Sequence, residues 1–130
     1  MTGGRLKRVK EFLSPNEPFL FTYGDGVGDI NVNDLLNFHK SHGKLATVTA
    51  VTPPGRFGIM TINDSNEVSQ FNEKPESGNA WINGGFFVLD PSVIDFISGD
   101  HIPWEEEPLQ KITQNNQLSA FKHRGFWQPM

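Results

Sequence analysis

The sequence predicts an α/β domain, a three-layer sheet carrying a β-hairpin excursion. Three features lead there. Apolar residues alternate along the chain between helical and extended spacing, which is the pattern of helices laid on a sheet. The run Phe19 to Tyr23 is apolar and breaks abruptly into Gly24-Asp25-Gly26, which places an acid at the carboxyl end of a strand. Two extended segments, Gly58 to Ile62 and Val68 to Glu73, flank the turn-rich Asn63-Asp64-Ser65-Asn66 and read as a hairpin.

The elements follow in order. Leu6, Val9, Phe12 and Leu13 form one stripe, predicting a first helix that Ser14-Pro15 closes. Phe19 to Tyr23 is the first strand. Asn31 or Asn33 then caps a helix bearing Leu35, Leu36 and Phe38, and Gly43 ends it. Leu45 to Val51 is the next strand, and Pro53-Pro54-Gly55 interrupts before the hairpin. Trp81 to Leu89 returns as a buried strand. Asp90-Pro91 opens a short helix with Val93, Ile94 and Ile97 inward, and Gly99 stops it. A helix over Pro108 to Gln114, with Glu105, Glu106 and Glu107 at its positive end, precedes a last strand at Leu118 to Lys122. No internal repeat or low-complexity segment occurs.

The 130 residues suit one domain, 1–130. An apolar fraction of 36% is modest, but eleven Phe and three Trp supply large buried surfaces. The formal charge of −4 argues against a nucleic-acid partner, which would require a basic face. With no cysteine, disulfides and thiolate chemistry are excluded. Arg5, Lys7, Arg8 and Lys10 are not followed by a signal-peptide core, and no apolar run has membrane-spanning length, so the expectation is a cytoplasmic protein with no membrane partner.

Neither G-x-G-x-x-G nor G-x-x-x-x-G-K-[ST] is present, and Gly3-Gly4-Arg5 is the nearest approach to a phosphate loop. His39 and His42 lie one helical turn apart without a third ligand, so surface positions on a helix are expected for them. No serine has a Gly-x-Ser-x-Gly setting. Read from residues alone, Asp25 either faces a ligand or shapes a Gly-Asp-Gly turn. Glu73-Lys74 is either a binding pair or a solvated strand end, and Asn83-Gly84-Gly85 either a contact segment or a bulge.

Six motifs in order carry a resemblance: Thr2 to Val9, Phe21-Thr-Tyr-Gly-Asp-Gly-Val27, Pro53-Pro-Gly-Arg-Phe-Gly58, Glu73-Lys-Pro75, Ile82-Asn-Gly-Gly-Phe-Phe-Val88 and Gly125-Phe-Trp-Gln-Pro-Met130. Together they resemble the glucose-1-phosphate cytidylyltransferases, a branch of the sugar-phosphate nucleotidylyltransferases. The resemblance implies an incomplete Rossmann-like three-layer nucleotidyltransferase domain, because the family's opening strand and Gly-rich nucleotide loop have no counterpart here. It implies the reaction of CTP with glucose 1-phosphate to CDP-glucose and pyrophosphate.

By the same resemblance Asp25 would hold Mg²⁺, an ion suited to one or two carboxylates plus phosphate oxygens. Lys74 would serve catalysis by holding the sugar phosphate as a point charge, while Glu73, Asn83 and Gly84 would contact the sugar. Arg5 and Gly24 would approach CTP. No role follows for Arg56. A second metal-binding Asp would come after Met130, so the expectation is that the isolated chain does not turn over. The alternative is a non-catalytic sugar-phosphate-binding or protein-interaction module. With the neighbour of the Phe19 to Tyr23 strand missing, Phe19 and Phe21 would lie at an open edge, which predicts a homo-oligomer.

Overall fold

A computed structural model describes residues 1–53, 59–72 and 81–130. The elements are α1 (Thr2–Arg8), β1 (Phe19–Thr22), β2 (Gly26–Gly28), α2 (Val32–His42), β3 (Ala46–Val51), β4 (Ile59–Ile62), β5 (Val68–Asn72), β6 (Ile82–Leu89), α3 (Glu107–Gln114), β7 (Leu118–Lys122) and β8 (Trp127–Pro129). Tight 3-10 turns occupy Lys10–Phe12 and Pro91–Phe96. The central sheet has the order β1-β6-β3-β7, with β6 antiparallel to both neighbours and β3 parallel to β7. β1 is therefore an edge strand.

Strand alternation sorts the two faces. The pairs Phe19 with Leu89, Phe21 with Phe87, and Ala46 with Leu89 put these residues on one side. There they form the main core with Leu6, Val93, Ile94, Ile97, Trp104 and Ile112, each buried. Phe21, Phe87 and Trp104 meet edge to face or tilted, at centroid distances of 5.8 to 6.3 Å. Burial of each such large side chain stabilises by about 1.5–3 kcal/mol. On the opposite face lie Thr47, Val88 and Phe121, with α2 packed across them through Leu35, Phe38 and His39. Helix, sheet and helix make three layers.

α2 follows its sequence signals closely. The Asn31 side chain accepts from Asp34 N at 3.0 Å, and Gly43 closes the helix at φ 69°. His39 and His42 are not surface residues as expected: both hydrogen-bond the buried Thr47 hydroxyl, at 2.8 and 2.6 Å. The hairpin also forms, with Asn63 Oδ1 accepting from Ser65 N and Glu67 N at 3.0 and 2.9 Å.

The first helix departs from expectation. α1 ends at Arg8, and Val9 and Phe12 are 41% and 79% exposed, so only Leu6 of the predicted stripe is buried in the core. The docking face is instead Gly3 and Gly4: a Cβ on either would overlap the carbonyl oxygen of Ile102 or Asp100. Backbone packing against backbone has overridden the side-chain stripe. The segment after Asp90 is 3-10 rather than α, with the Asp90 carboxylate accepting from Ser92 N at 2.9 Å. β2 and β8, which no periodicity announced, pair antiparallel as a short ribbon. No helix among the described residues is long and apolar enough to cross a membrane.

Candidate functional site

The sheet's apolar strand β1 delivers its last residues to a cleft. Tyr23 N donates to Gly85 O at 3.1 Å, after which the chain leaves β6 through Gly24 and Asp25 and enters β2. The far end of the sequence fastens that exit. Met130 N donates to Asp25 O at 2.7 Å, and Trp127 Nε1 donates to Gly84 O at 2.9 Å. Asp25 thus sits on a backbone held from two sides.

The cleft has a volume of about 520 Å³ and is lined by Thr2, Arg5, Phe21, Thr22, Tyr23, Gly24, Asp25 and Glu105. Three of the residues singled out from sequence, Arg5, Gly24 and Asp25, are brought together here. Among the described residues a Cβ on Gly24 would meet nothing within 4 Å, so the space beside it is part of the cleft that it lines. The Asp25 carboxylate has no side-chain hydrogen bond or ion pair among the described residues, so its donor oxygens are available to a hard cation of the kind that one carboxylate and phosphate oxygens satisfy.

Asn83 is exposed and donates from Nδ2 to the hydroxyl of the cleft residue Tyr23 at 3.2 Å. Its Oδ1 accepts from Gly85 N at 2.8 Å. Gly84 is different: it is buried, and a Cβ there would come to 2.9 Å from both Thr49 O and Val51 Cγ1. That glycine is required by the close approach of β3, whose pairing with β6 is irregular between Val48 and Ala50. Glu73, Lys74 and Arg56 lie outside the described residues.

Five cleft residues were not site candidates, and three of them, Thr2, Tyr23 and Glu105, bring polar groups that interact. Glu105 reads in sequence as one of three helix-start acids, but α3 begins at Glu107, and the Glu105 carboxylate accepts from Thr2 Oγ1 at 2.8 Å. Thr2 Oγ1 in turn accepts from Trp104 N at 2.8 Å. Burial pushes the Tyr23 phenol well above its ordinary pKa, and the neighbouring Glu105 carboxylate pushes it further. Burial by itself raises the Glu105 carboxyl, but the neighbouring Tyr23, its own backbone and the Thr2 hydroxyl outweigh that and leave it below the usual carboxylate range. Near neutral pH the pair is a protonated phenol facing an ionised carboxylate. The signal for Tyr23 was its place immediately before Gly24-Asp25; nothing in the sequence paired it with Glu105.

Residues 3–128 match the family model described as nucleotidyl transferase. The chain belongs to the nucleotidyl transferase family. Members of that family use a divalent metal. Over all 130 residues this nucleotidyl transferase chain is 58% identical to the glucose-1-phosphate cytidylyltransferases of Salmonella typhimurium and Salmonella typhi, of which it covers 50%. The chain spans about half the length of the curated relatives it matches. Among solved structures it is similar to HddC from Yersinia pseudotuberculosis, with a TM-score of 0.67 at 22% identity, covering 98% of this chain and 56% of that one. At that identity the likeness establishes the fold, a Rossmann-like nucleotidyltransferase sheet.

Proposed function

We propose that this chain, as one partial nucleotidyltransferase-like domain over 1–130, supplies sugar-binding and metal-binding parts of a glucose-1-phosphate cytidylyltransferase, acting in transfer from CTP to glucose 1-phosphate with release of pyrophosphate. The supporting observation is the convergence of Arg5, Gly24 and Asp25 on one cleft, with the Asn83 amide bonded to the hydroxyl of Tyr23 in its lining. Two anionic substrates must meet in such a reaction, so the work is positioning and charge neutralisation. Mg²⁺, bound at Asp25, would neutralise phosphate charge. Arg5 projects from α1 as a planar, permanently charged donor for base or phosphate, and Gly24 leaves room for the nucleotide beside the β1 backbone. Asn83 offers a sugar hydroxyl both a donor and an acceptor, and Gly84 holds β6 close to β3 beside it. Glu73 is read as a further sugar contact and Lys74 as the point charge on the sugar phosphate.

Calorimetric titration tests this reading. The 130-residue chain should bind CTP in an Mg²⁺-dependent way, and Arg5→Ala and Asp25→Asn should each weaken that binding at least tenfold. Binding of glucose 1-phosphate with no response to CTP or to the Asp25 substitution would instead favour a non-catalytic sugar-phosphate module.

The same reading places the chain in the cytoplasm, where nucleoside triphosphates are held, and makes it a homo-oligomer. Tyr23 N bonds Gly85 O, so by alternation Leu20 and Thr22 turn their backbone groups away from β6 toward the open edge. Leu20 is 52% exposed there. A second copy pairing antiparallel on β1 would satisfy both sets of backbone groups. Sedimentation showing a monomer at all concentrations would refute it.

A further inference from the structure

We propose that Tyr23 is a positioning residue for Asn83, fixing which end of the Asn83 amide meets the sugar; the inference rests on the reading of Asn83 as a sugar contact. An amide side chain has nearly the same shape either way round, so its partners decide its orientation. Here they decide it twice. Gly85 N is a donor and lies 2.8 Å from Oδ1, while the Tyr23 oxygen lies 3.2 Å from Nδ2. Turning the amide over would set an NH₂ group against the Gly85 N–H.

That arrangement holds only while the phenol oxygen accepts. Its single hydrogen must go elsewhere, and the Glu105 carboxylate, which lines the same cleft, favours the protonated phenol. Glu105 is itself held by the Thr2 hydroxyl at 2.8 Å, and Thr2 by Trp104 N at 2.8 Å. A neutral acceptor at position 105 could reverse the phenol; an ionised carboxylate accepts only. Asn83 therefore donates to Tyr23 and Thr2 to Glu105, and the carboxylate, accepting only, disfavours a phenol turned to donate toward Asn83.

The ring cannot swing away. It packs edge to face on Phe21 and on Phe87, with centroids 5.8 and 5.9 Å apart. It also lies over Gly85, whose φ of 79° and missing Cβ admit it: a Cβ there would be 2.7 Å from Tyr23 Cδ2. One Nδ2 hydrogen and one Oδ1 lone pair of Asn83 are left over. Donor and acceptor side by side match a sugar hydroxyl, which gives one hydrogen bond and takes another.

Tyr23→Phe removes the hydroxyl and keeps the ring, so it tests the inference without emptying the core. The side-chain amide resonances of Asn83, followed by ¹⁵N NMR in the 130-residue chain, should shift and exchange faster with solvent. Glucose 1-phosphate should bind about three- to tenfold more weakly. Asn83→Ala should lose at least as much, and the double variant should be no weaker than Asn83→Ala alone. Glu105→Gln should move the Asn83 resonances in the same sense, whereas Ile112→Val, a core truncation elsewhere, should leave them in place. Unchanged Asn83 resonances in Tyr23→Phe, or fully additive losses of affinity, would overturn the proposal. If the parent chain binds no glucose 1-phosphate, the sugar-site reading fails, and the Asn83 resonances still judge the role of Tyr23.

Discussion

Gly85→Ala and Gly43→Ala form a matched pair in which the same atom is added at the same kind of backbone. Both glycines are left-handed, at φ 79° and 69°. Forcing alanine into that region costs about 1–2 kcal/mol at either site. The surroundings differ. Among the described residues a Cβ at Gly43 meets nothing within 4 Å, so the backbone cost is the cost expected there. At Gly85 the Cβ lands 2.7 Å from the Tyr23 ring, against roughly 3.5–4.0 Å for an unstrained carbon contact. The ring has to move, and its contacts with Phe21 and Phe87 are each worth about 0.5–1.5 kcal/mol. Gly85→Ala should therefore cost about 2–5 kcal/mol in urea unfolding, and Gly43→Ala only about 1–2 kcal/mol. Near-UV circular dichroism should change in Gly85→Ala alone, because aromatic packing is what has been disturbed. Equal losses for the two variants would refute the reasoning and show that the Tyr23 ring yields freely.

Thr47 and Thr49 share one face of β3 and are both fully buried, yet they should respond oppositely to valine. Thr49 Oγ1 has no hydrogen-bond partner among the described residues, so Thr49→Val should be neutral or raise the melting temperature, whereas Thr47→Val breaks the bonds to His39 and His42 and should cost about 1–3 kcal/mol. Burial lowers the pKa of His39 and of His42, with each also facing positive charge, from His42 and Lys44 respectively, and Asp90 opposing weakly at His39. The unfolded chain then binds more protons below its ordinary histidine value of 6.5, so the urea midpoint should be flat above that pH and fall as pH drops toward 5.5. A flat profile down to pH 5.5 would refute the buried-neutral assignment. Gly4→Ala should displace α1 from the Asp100 carbonyl and weaken CTP binding while far-UV circular dichroism of the sheet persists; unchanged binding would show that α1 does not need this contact.

What was legible in the sequence was whatever is encoded locally. The Asn31 cap and Gly43 stop bound α2 within a residue, because both act on the helix that contains them. The hairpin was legible through Asn63 and Asn66, the latter at φ 63°, since turn chemistry needs no distant partner. α1 was misread because its Gly3 and Gly4 are defined by the 99–104 backbone they touch, which leaves no periodic trace. The β2–β8 ribbon hides for a related reason: each strand has three residues, and they lie at opposite ends of the chain. In the cleft, the motif resemblance named Arg5, Gly24 and Asp25 together. Thr2 and Glu105 were invisible because their meaning is a contact across nearly the whole sequence.

The binding of Met130 N to Asp25 O, and of Thr2 to Glu105, also bears on when the cleft can exist during folding. The β3–β6 and β1–β6 ladders close shorter loops and can form from the interior of the chain. Among the described residues the contacts that fasten the cleft close the longest loops, whose entropy must be spent before any contact rewards it. The cleft is therefore expected to assemble last, on a sheet already in place, and to open first when the molecule is stressed. Amide protons near Asp25 should lose protection at lower urea than those of Phe87 and Val88, leaving a folded core without its cleft.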